Sequence, residues 1–320
     1  MQDRIRGCLK GVATGDAVGK QTEGLSHDSV RRWYPHGIRG FEGEPGSVIP
    51  RYAGNQKRKW LVGETTDDTE RTIAVARAIV RDGEVRHESV GRELLKCRKC
   101  VHPGVASLWE FHEAADPTRV AARHDGCGAA VRVAPVGIRY RSERLGEIVS
   151  AAREASISTH GGSLAIAAAA ATAAAVSAAI DGALPAEIID AAREAVARAE
   201  RQWPGAGGHT LARAVHQVHQ DLSHWKDPTP ALVAATYFPD HPLTIVPLAL
   251  ALGTVMPSAE AGILFAANVG GDSDSVASIA GAILGARNPE RVNEAWHLVV
   301  ERVNGHNLTS LAEQLGALRS

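Results

Sequence analysis

The sequence predicts an all-α fold, and three observations support this prediction. Aromatic residues make up only 4% of the 320 residues. Alternation of polar and apolar residues, which marks half-buried strands, is rare. Long stretches rich in Ala, Leu, Ile, Val, Glu and Arg instead carry apolar residues at helical spacing. With 44% hydrophobic and 22% charged residues, the chain has the composition of a globular protein with a sizeable core.

Apolar periodicity along the chain predicts a series of helices separated by short turns. Neither a repeat period nor a linker or low-complexity tail interrupts the series, so we expect a single domain over residues 1–320. The predicted helices lie at about 3–15, 68–81, 88–97, 105–115, 142–155, 163–180, 186–202, 208–221, 243–252, 258–267, 275–286, 290–303 and 308–317.

The first helix carries glycine every four residues, at Gly7, Gly11, Gly15 and Gly19. Residues four apart lie on the same helix face, so these glycines predict a smooth face for close packing against another helix. We interpret the pattern as structural and not as a phosphate-binding loop.

The run LAIAAAAATAAAVSAAI at 164–180 carries no charge and approaches the length of a membrane span. Alanine is too weakly hydrophobic to favour insertion, so we expect a central helix that its neighbours can approach closely. The N-terminal sequence MQDRIRGCLKGVATGD has charges where a signal peptide needs an apolar core. A cytoplasmic protein without a membrane partner is therefore expected.

The charge balance argues against a nucleic-acid partner. The formal net charge is −1, and basic residues form only short clusters, at 57–59 and 96–99. The four cysteines are expected to be reduced thiols. Cys97, Cys100 and His102 have the spacing of half a zinc site, but the other two thiols fall in different motifs. We therefore expect a helix end with two half-buried thiols.

A long segment from residue 35 to residue 66 is rich in glycine and proline and predicts no regular structure. Loops of this length in compact domains are usually functional or disordered. The segment leads directly into ETTDDTERTIAVARAIV at 64–80, where threonines and two aspartates precede a helical run. A second acidic cluster, GGDSDSVASIAGAILGA, occurs at 270–286.

In the second cluster, a helix dipole beginning near Ser275 accounts for one aspartate but not for two. Asp272 and Asp274 can converge in the turn before the helix, and a convergent pair usually binds a cation. Aspartate and hydroxyl oxygens are hard ligands suited to Mg²⁺, Ca²⁺ or Mn²⁺. Each cluster alone could be a helix cap. An EF-hand is excluded, because Ala277 and Ile283 stand where glycine and glutamate are needed, and a phosphatase-type DxD nucleophile fits weakly.

Taken together, the motifs resemble the ADP-ribosylglycohydrolase family over roughly residues 3–300. The resemblance rests on GCLKGVATGDAVGKQTEG (7–24), TDDTERTIAVARAI (66–79), GCGAAVRVAPVGI (126–138), TH (159–160) and VGGDSDSVASIAGAILGA (269–286). It implies a compact single-domain orthogonal helical bundle with a binuclear site for two Mg²⁺ or Mn²⁺ ions.

Matching these motifs residue by residue implies a set of site residues. Serine stands at 275 where threonine is usual, but it keeps the hydroxyl oxygen, and Asp16 is expected to support the site from behind. Glu23 is either a catalytic carboxylate or a solvated loop residue. The implied catalytic residues are Glu23, Asp67, Asp68 and Asp272; the implied metal ligands are Thr66, Asp67, Asp68, Asp272, Asp274 and Ser275.

The resemblance also implies substrate-binding residues. Backbone amides at Gly126, Cys127, Gly128 and Ala129 would hold a diphosphate or distal ribose. Cys127 replaces a common asparagine, and the segment could instead be a helix start packed by small residues. His160 either lines the cleft or is a core histidine. Gly270 and Gly271 would let a ribose approach the ions.

The expected activity is metal-dependent hydrolysis of an N- or O-glycosidic bond at the anomeric carbon of an ADP-ribosyl group. The partner would be an ADP-ribosylated protein or small molecule, with ADP-ribosyl-arginine the leading substrate, and the protein is expected to be a monomer. Two alternatives stay open. One is hydrolysis of another ribosylated compound, such as a nucleoside, a ribosyl phosphate or O-acetyl-ADP-ribose; the other is a non-catalytic relative that binds ADP-ribose or has a structural role.

Overall fold

The computed structural model describes residues 1–55, 58–99, 101–205 and 210–320. These ranges form 17 α-helices and, apart from one isolated antiparallel bridge between Val48 and Leu61, have no β-structure. The all-α prediction is confirmed. The helices are α1 (Gln2–Gly19), α2 (His27–Trp33), α3 (Asp67–Asp82), α4 (His87–Leu94), α5 (Ala106–Ala114), α6 (Gly128–Val131), α7 (Ala134–Arg139), α8 (Leu145–Ser156), α9 (Ser163–Asp181), α10 (Pro185–Gln202), α11 (Leu211–His224), α12 (Pro230–Tyr237), α13 (Pro242–Val255), α14 (Ala259–Val269), α15 (Ser273–Arg287), α16 (Glu294–Asn304) and α17 (Leu308–Ala317).

Every predicted helix is present, although several boundaries differ. Helix α1 continues four residues past the predicted end because its glycines are packed against a neighbour, and the predicted helix 142–155 begins with a 3-10 turn. The predicted start of α11 at residue 208 lies outside the described residues. The sequence analysis missed four short helices: α2, α6, α7 and α12. They are too short to show helical periodicity in a window of 11 or more residues.

Helices α1 and α15 form the centre of the fold and pack along the predicted glycine face. A Cβ atom placed on Gly7 would lie 2.1 Å from the carbonyl oxygen of Gly285, and one on Gly11 would lie 1.9 Å from that of Gly281. The backbones are therefore in direct contact, which only glycine permits. The prediction of a smooth packing face is confirmed. This contact sets the N-terminal end of α15 beside the C-terminal half of α1.

The alanine-rich helix α9 is the centre of a second group, in contact with α6, α7, α8 and α10. It is long and apolar enough to cross a membrane by length and composition, but 89% of that stretch is buried inside the protein. Its small side chains allow the surrounding helices to approach closely. The structure therefore gives α9 the surroundings of a core helix. Helices α13 and α14 cover α15 from the other side.

The long segment between α2 and α3 has its own small core. Ile49, Trp60 and Val62 are buried together, with Phe41 and Tyr52 packed against them. The backbone is held by the bridge between Val48 and Leu61, where the amide of Ile49 donates to the carbonyl of Trp60 at 2.9 Å. Arg51 of this segment donates to the carbonyl oxygen of Lys20, the residue that follows α1, and so holds the segment at the C-terminal end of α1.

The thiol of Cys97 is buried, which differs from the half-buried position expected for it. Its sulfur lies 3.8 Å from the carbonyl oxygen of Glu93 and 3.9 Å from that of Glu70. Burial raises its pKa to about 12. His102 is exposed, and Cys100 lies outside the described residues. The structure thus places Cys97 in the packing between α3 and α4.

Candidate functional site

The first acidic cluster forms the N-terminal end of α3. Thr66 is the N-cap residue, and its hydroxyl accepts a hydrogen bond from the amide of Asp68 at 3.1 Å. Asp67 and Asp68 occupy the first two helical positions, where the helix dipole favours negative charge. A helix cap, one of the two interpretations of this cluster, is therefore present at the start of α3.

The second acidic cluster forms the N-terminal end of α15. Asp272 is the N-cap residue, and Asp274 and Ser275 lie in the first turn, both buried. The turn before them requires glycine, because Gly270 and Gly271 have φ angles of 89° and 68°. A Cβ atom on these residues would lie 2.4 Å from the Leu25 carbonyl oxygen and 2.5 Å from that of Pro239, respectively. Protein backbone, and not open space, thus adjoins both glycines.

The two helix ends meet. The hydroxyl of Ser275 donates a hydrogen bond to Oδ2 of Asp68 at 3.1 Å, across 207 residues of sequence. Asp16 of α1 lies beneath them and accepts hydrogen bonds from the amide of Thr66 at 2.9 Å and from the amide of Thr69 at 3.1 Å. Asp16 therefore supports the start of α3, which is the supporting position that the sequence analysis expected.

The electrostatics of this meeting point show that negative charge is undercompensated. Burial, with added repulsion from Asp272, raises the pKa of Asp274 to about 7. Burial and the neighbouring Asp274 raise the pKa of Asp16 to about 6 and also raise that of Asp68 well above its usual value. Oδ1 of Asp274 is buried and has no hydrogen-bond partner among the residues that the structure describes. A buried carboxylate oxygen without a partner is costly unless a cation binds it.

The donor set fits a hard divalent cation, since it consists of carboxylate and hydroxyl oxygens. The unpartnered Oδ1 of Asp274 is the atom most in need of such an ion. In the described ranges, however, no three His, Cys, Asp or Glu side chains stand together as a ready-made cage. Hydroxyl ligands or a small adjustment of the carboxylates would complete the coordination. The two clusters therefore bring hard oxygen donors together at one point, without forming a closed cage among the described residues.

Arg71 is a site residue that the sequence analysis missed. Its Nη2 is 3.3 Å from Oδ1 of Asp68 and also forms an ion pair with Asp67. Its Nε donates to the carbonyl oxygen of Asp67 at 3.0 Å, so the guanidinium is held from two sides. The signal was present in the sequence, because residues three and four apart on a helix face each other.

Glu23 lies at the edge of the site, where its carboxylate is paired with Lys20. The Lys20 ammonium also lies 4.2 Å from the centre of the Trp60 ring. Arg51 donates to the carbonyl oxygens of Lys20 at 3.1 Å and of Glu23 at 2.7 Å. Glu23 is therefore tied to the long segment before α3 and is not a free loop carboxylate. Lys20 and Arg51 were not identified from the sequence.

The segment around Cys127 reaches the second cluster. The Cys127 thiol donates to Oδ2 of Asp272 at 3.2 Å, and burial keeps its pKa well above the usual value. Gly128 begins α6 and Ala129 is buried in that helix, so the segment is a helix start, and its role in substrate binding stays a prediction. A Cβ atom on Gly126 would lie 3.3 Å from the His160 ring, and one on Gly128 would lie 3.0 Å from it.

His160 is 4% exposed and packs beneath this segment. Its Nδ1 is 2.8 Å from the Thr159 hydroxyl and its Nε2 is 3.4 Å from that of Ser107. Burial lowers its pKa well below the usual value, so the ring is neutral. Of the two alternatives, the structure favours a core histidine. Its ring packs against the backbone at 126–128.

Comparisons with known proteins identify the family of the chain. The sequence profile of ADP-ribosylglycohydrolases matches residues 1–320. The chain belongs to the ADP-ribosylglycohydrolase family. It is 29% identical over 309 residues to an uncharacterized protein of Archaeoglobus fulgidus, covering 91% of this chain and 90% of that protein. It is 25% identical over 332 residues to the uncharacterized protein YegU of Escherichia coli strain K12, covering 99% and 97%.

A solved structure described as an ADP-ribosylglycohydrolase-related protein complex superimposes with a TM-score of 0.74 over 99% of this chain and 98% of the other, at 23% identity. This match bears on the fold alone and confirms the helical architecture expected from the resemblance. Membership of the ADP-ribosylglycohydrolase family also supports a glycohydrolase activity for the chain.

Proposed function

We propose that the protein hydrolyses the glycosidic bond at the anomeric carbon of an ADP-ribosyl group with the help of two Mg²⁺ or Mn²⁺ ions. ADP-ribosyl-arginine is the leading substrate, and a cytoplasmic monomer is the proposed form. One observation carries the proposal: two acidic helix N-termini converge and leave the buried Oδ1 of Asp274 without a partner. Structural caps do not need a second buried carboxylate at one point.

The residues that would hold the ions are Thr66, Asp67, Asp68, Asp272, Asp274 and Ser275. Bound ions would orient the ribose hydroxyls and polarise a water near the anomeric carbon. The chain itself holds the carboxylates in place: Asp16 fixes the start of α3, and the glycine turn at 270–271 fixes the start of α15. Glu23, oriented by Lys20, or one of the catalytic aspartates at 67, 68 and 272 would take a proton from the water.

The experiment is a panel of ADP-ribosyl-arginine, ADP-ribosyl-serine, ADP-ribosylated DNA and O-acetyl-ADP-ribose, each incubated with the protein and Mg²⁺. We expect release of ADP-ribose from at least the arginine conjugate. Activity should vanish with EDTA and return with Mg²⁺ or Mn²⁺, because the donors are hard oxygens. Full turnover in metal-free buffer would contradict the two-ion proposal.

A second candidate function is hydrolysis of another ribosylated small molecule. The observation that favours it is the Cys127 thiol, which stands in place of a common asparagine and points at Asp272, 3.2 Å away. A thiol offers a weaker hydrogen bond than an amide to a distal ribose or diphosphate. Nucleosides and ribosyl phosphates added to the same panel distinguish the candidates. Tight binding of ADP-ribose without any release would instead indicate a non-catalytic relative.

A further inference from the structure

The two halves of the carboxylate site differ in how their charge is compensated. On the α3 half, Arg71 contacts both Asp67 and Asp68. On the α15 half, Asp272 receives a hydrogen bond from a thiol and Asp274 keeps an unpartnered oxygen. Lys20, the other buried cation near the site, is paired with Glu23. The fixed charge of Arg71 thus lies directly on the α3 carboxylates, and that of Lys20 at the edge of the site.

Arg71 cannot easily leave its place. The side chain is 5% exposed, and its Nε is fixed to the carbonyl oxygen of Asp67. Its Nη1 lies 3.1 Å from the position that a Cβ atom on Gly128 would occupy, so the start of α6 packs against the guanidinium. An arginine is charged at every physiological pH. An ion arriving at Asp67 therefore meets a fixed positive charge that already uses oxygens of the carboxylates.

Lys20 is the other buried cation near the site, and its contacts direct it elsewhere. Its ammonium pairs with Glu23 and lies against the face of Trp60, 4.2 Å from the ring centre. It attracts Asp274 only at longer range, and burial lowers its pKa. Lys20 thus moderates the charge of the α15 half without occupying the unpartnered oxygen of Asp274.

We propose that the two cation positions are unequal: the α15 half, at Asp272 and Asp274, binds its ion tightly, and Arg71 weakens the binding of the second ion at Asp67. The proposal rests on the two-ion function proposed above. Residues that hydrogen-bond to a metal-binding carboxylate often raise metal affinity, because they orient that carboxylate. Arg71 differs because it carries a full positive charge that it cannot lose. Like charges at close range repel strongly in a buried site, so Arg71 opposes a cation at Asp67.

The test counts bound Mn²⁺. The metal-free wild-type protein is titrated with Mn²⁺, and the electron paramagnetic resonance signal of free Mn²⁺ and calorimetry report binding. We expect two classes of site whose Kd values differ by at least about tenfold, equivalent to about 1.4 kcal/mol. Arg71→Met removes the charge at similar length and should tighten the weaker class by about tenfold. Arg71→Lys keeps the charge and should keep the two classes apart.

Further variants assign the classes and control for folding. Asp274→Asn should remove the tight class, and Asp67→Asn the weak one. Arg81→Met is the matched control, because Arg81 lies on the same helix but pairs with Asp82 and Glu93 outside the site. It should leave both Kd values unchanged, and thermal unfolding of every variant verifies that it is folded.

The outcomes separate this inference from the proposed function. Two equal classes in the wild type, or a weaker second class in Arg71→Met than in the wild type, would overturn the inference and leave the metal-dependent function standing. A folded wild-type protein that binds no Mn²⁺ would overturn both. If Arg71→Met does not fold, Arg71→Lys and the wild type are compared. Two site classes with equal Kd values for Mn²⁺ in both proteins would contradict the proposal. Two classes whose Kd values differ by about tenfold in both proteins would support it.

Discussion

Substitution of Gly11 by alanine tests whether the contact between α1 and α15 is as close as the structure shows. The added Cβ atom would lie 1.9 Å from the carbonyl oxygen of Gly281 and 2.4 Å from its carbonyl carbon. Ordinary van der Waals contact begins near 3.4 Å, so the helices would have to separate by about 1.5 Å at this point. The obstructing atoms belong to a backbone and cannot rotate away.

The cost follows from this geometry. Overpacking a close-packed core costs about 1–3 kcal/mol, and we expect the upper end here because the neighbouring glycine contacts open as well. Alanine in place of glycine within a helix returns about 1 kcal/mol. The free energy of unfolding of Gly11→Ala should therefore fall by about 2 kcal/mol. Gly281→Ala should behave in the same way, since its Cβ atom would lie 2.3 Å from the carbonyl oxygen of Gly11.

The matched control is Gly146→Ala. Gly146 is an exposed residue of α8, and the nearest heavy atom to an added Cβ is the end of the Arg198 side chain at 3.9 Å. This variant should gain up to about 1 kcal/mol from helix propensity. Urea unfolding followed by circular dichroism measures all three variants. Equal stability of Gly11→Ala and Gly146→Ala would refute the close contact between the two central helices.

Four further outcomes are expected. Asp274→Asn should lower kcat for release of ADP-ribose by about 100-fold or more, because it removes a charged ligand; a near-normal rate would make this aspartate part of a helix cap only. Ser275→Ala should weaken Mg²⁺ binding by about tenfold, and Ser275→Thr should keep or slightly tighten it. Calorimetry measures both affinities, and equal Mg²⁺ affinity of the alanine variant and the wild type would exclude the hydroxyl as a ligand. Cys97→Ser should keep the fold and the metal dependence, since the thiol contacts backbone carbonyls; stoichiometric zinc that disappears in this variant would reverse that view. Burial lowers the pKa of His306 to about 4, so the unfolded chain takes up a proton here at a higher pH than the folded chain. The stability present above pH about 6.5 is therefore lost as the pH falls toward 4, by up to about 3 kcal/mol. His306→Gln should lose that part of the pH dependence of the free energy of unfolding, and an unchanged slope would contradict this expectation.

The sequence by itself predicted the helical fold and the two acidic helix starts. Both depend on local physics: apolar spacing determines which segments form helices, and hydroxyl and carboxylate side chains cap the first turn wherever they occur. The glycine face of α1 was equally visible, because a spacing of four residues places Gly7 and Gly11 on one side. The Arg71 contacts were also within reach of the sequence, since Asp67 and Asp68 precede it by one helical turn.

The tertiary structure decided what lies next to each of these residues. Backbone carbonyls of Leu25 and Pro239 lie where Cβ atoms on Gly270 and Gly271 would be, and the approach of a ribose to these glycines stays a prediction. His160 packs under the 126–128 backbone, and Glu23 is paired with Lys20 below a segment that forms its own small core. The hydrogen bond from Ser275 to Asp68 crosses 207 residues. Such neighbours are set by how the helices pack together, and local sequence preferences do not determine which residues, distant in sequence, meet there.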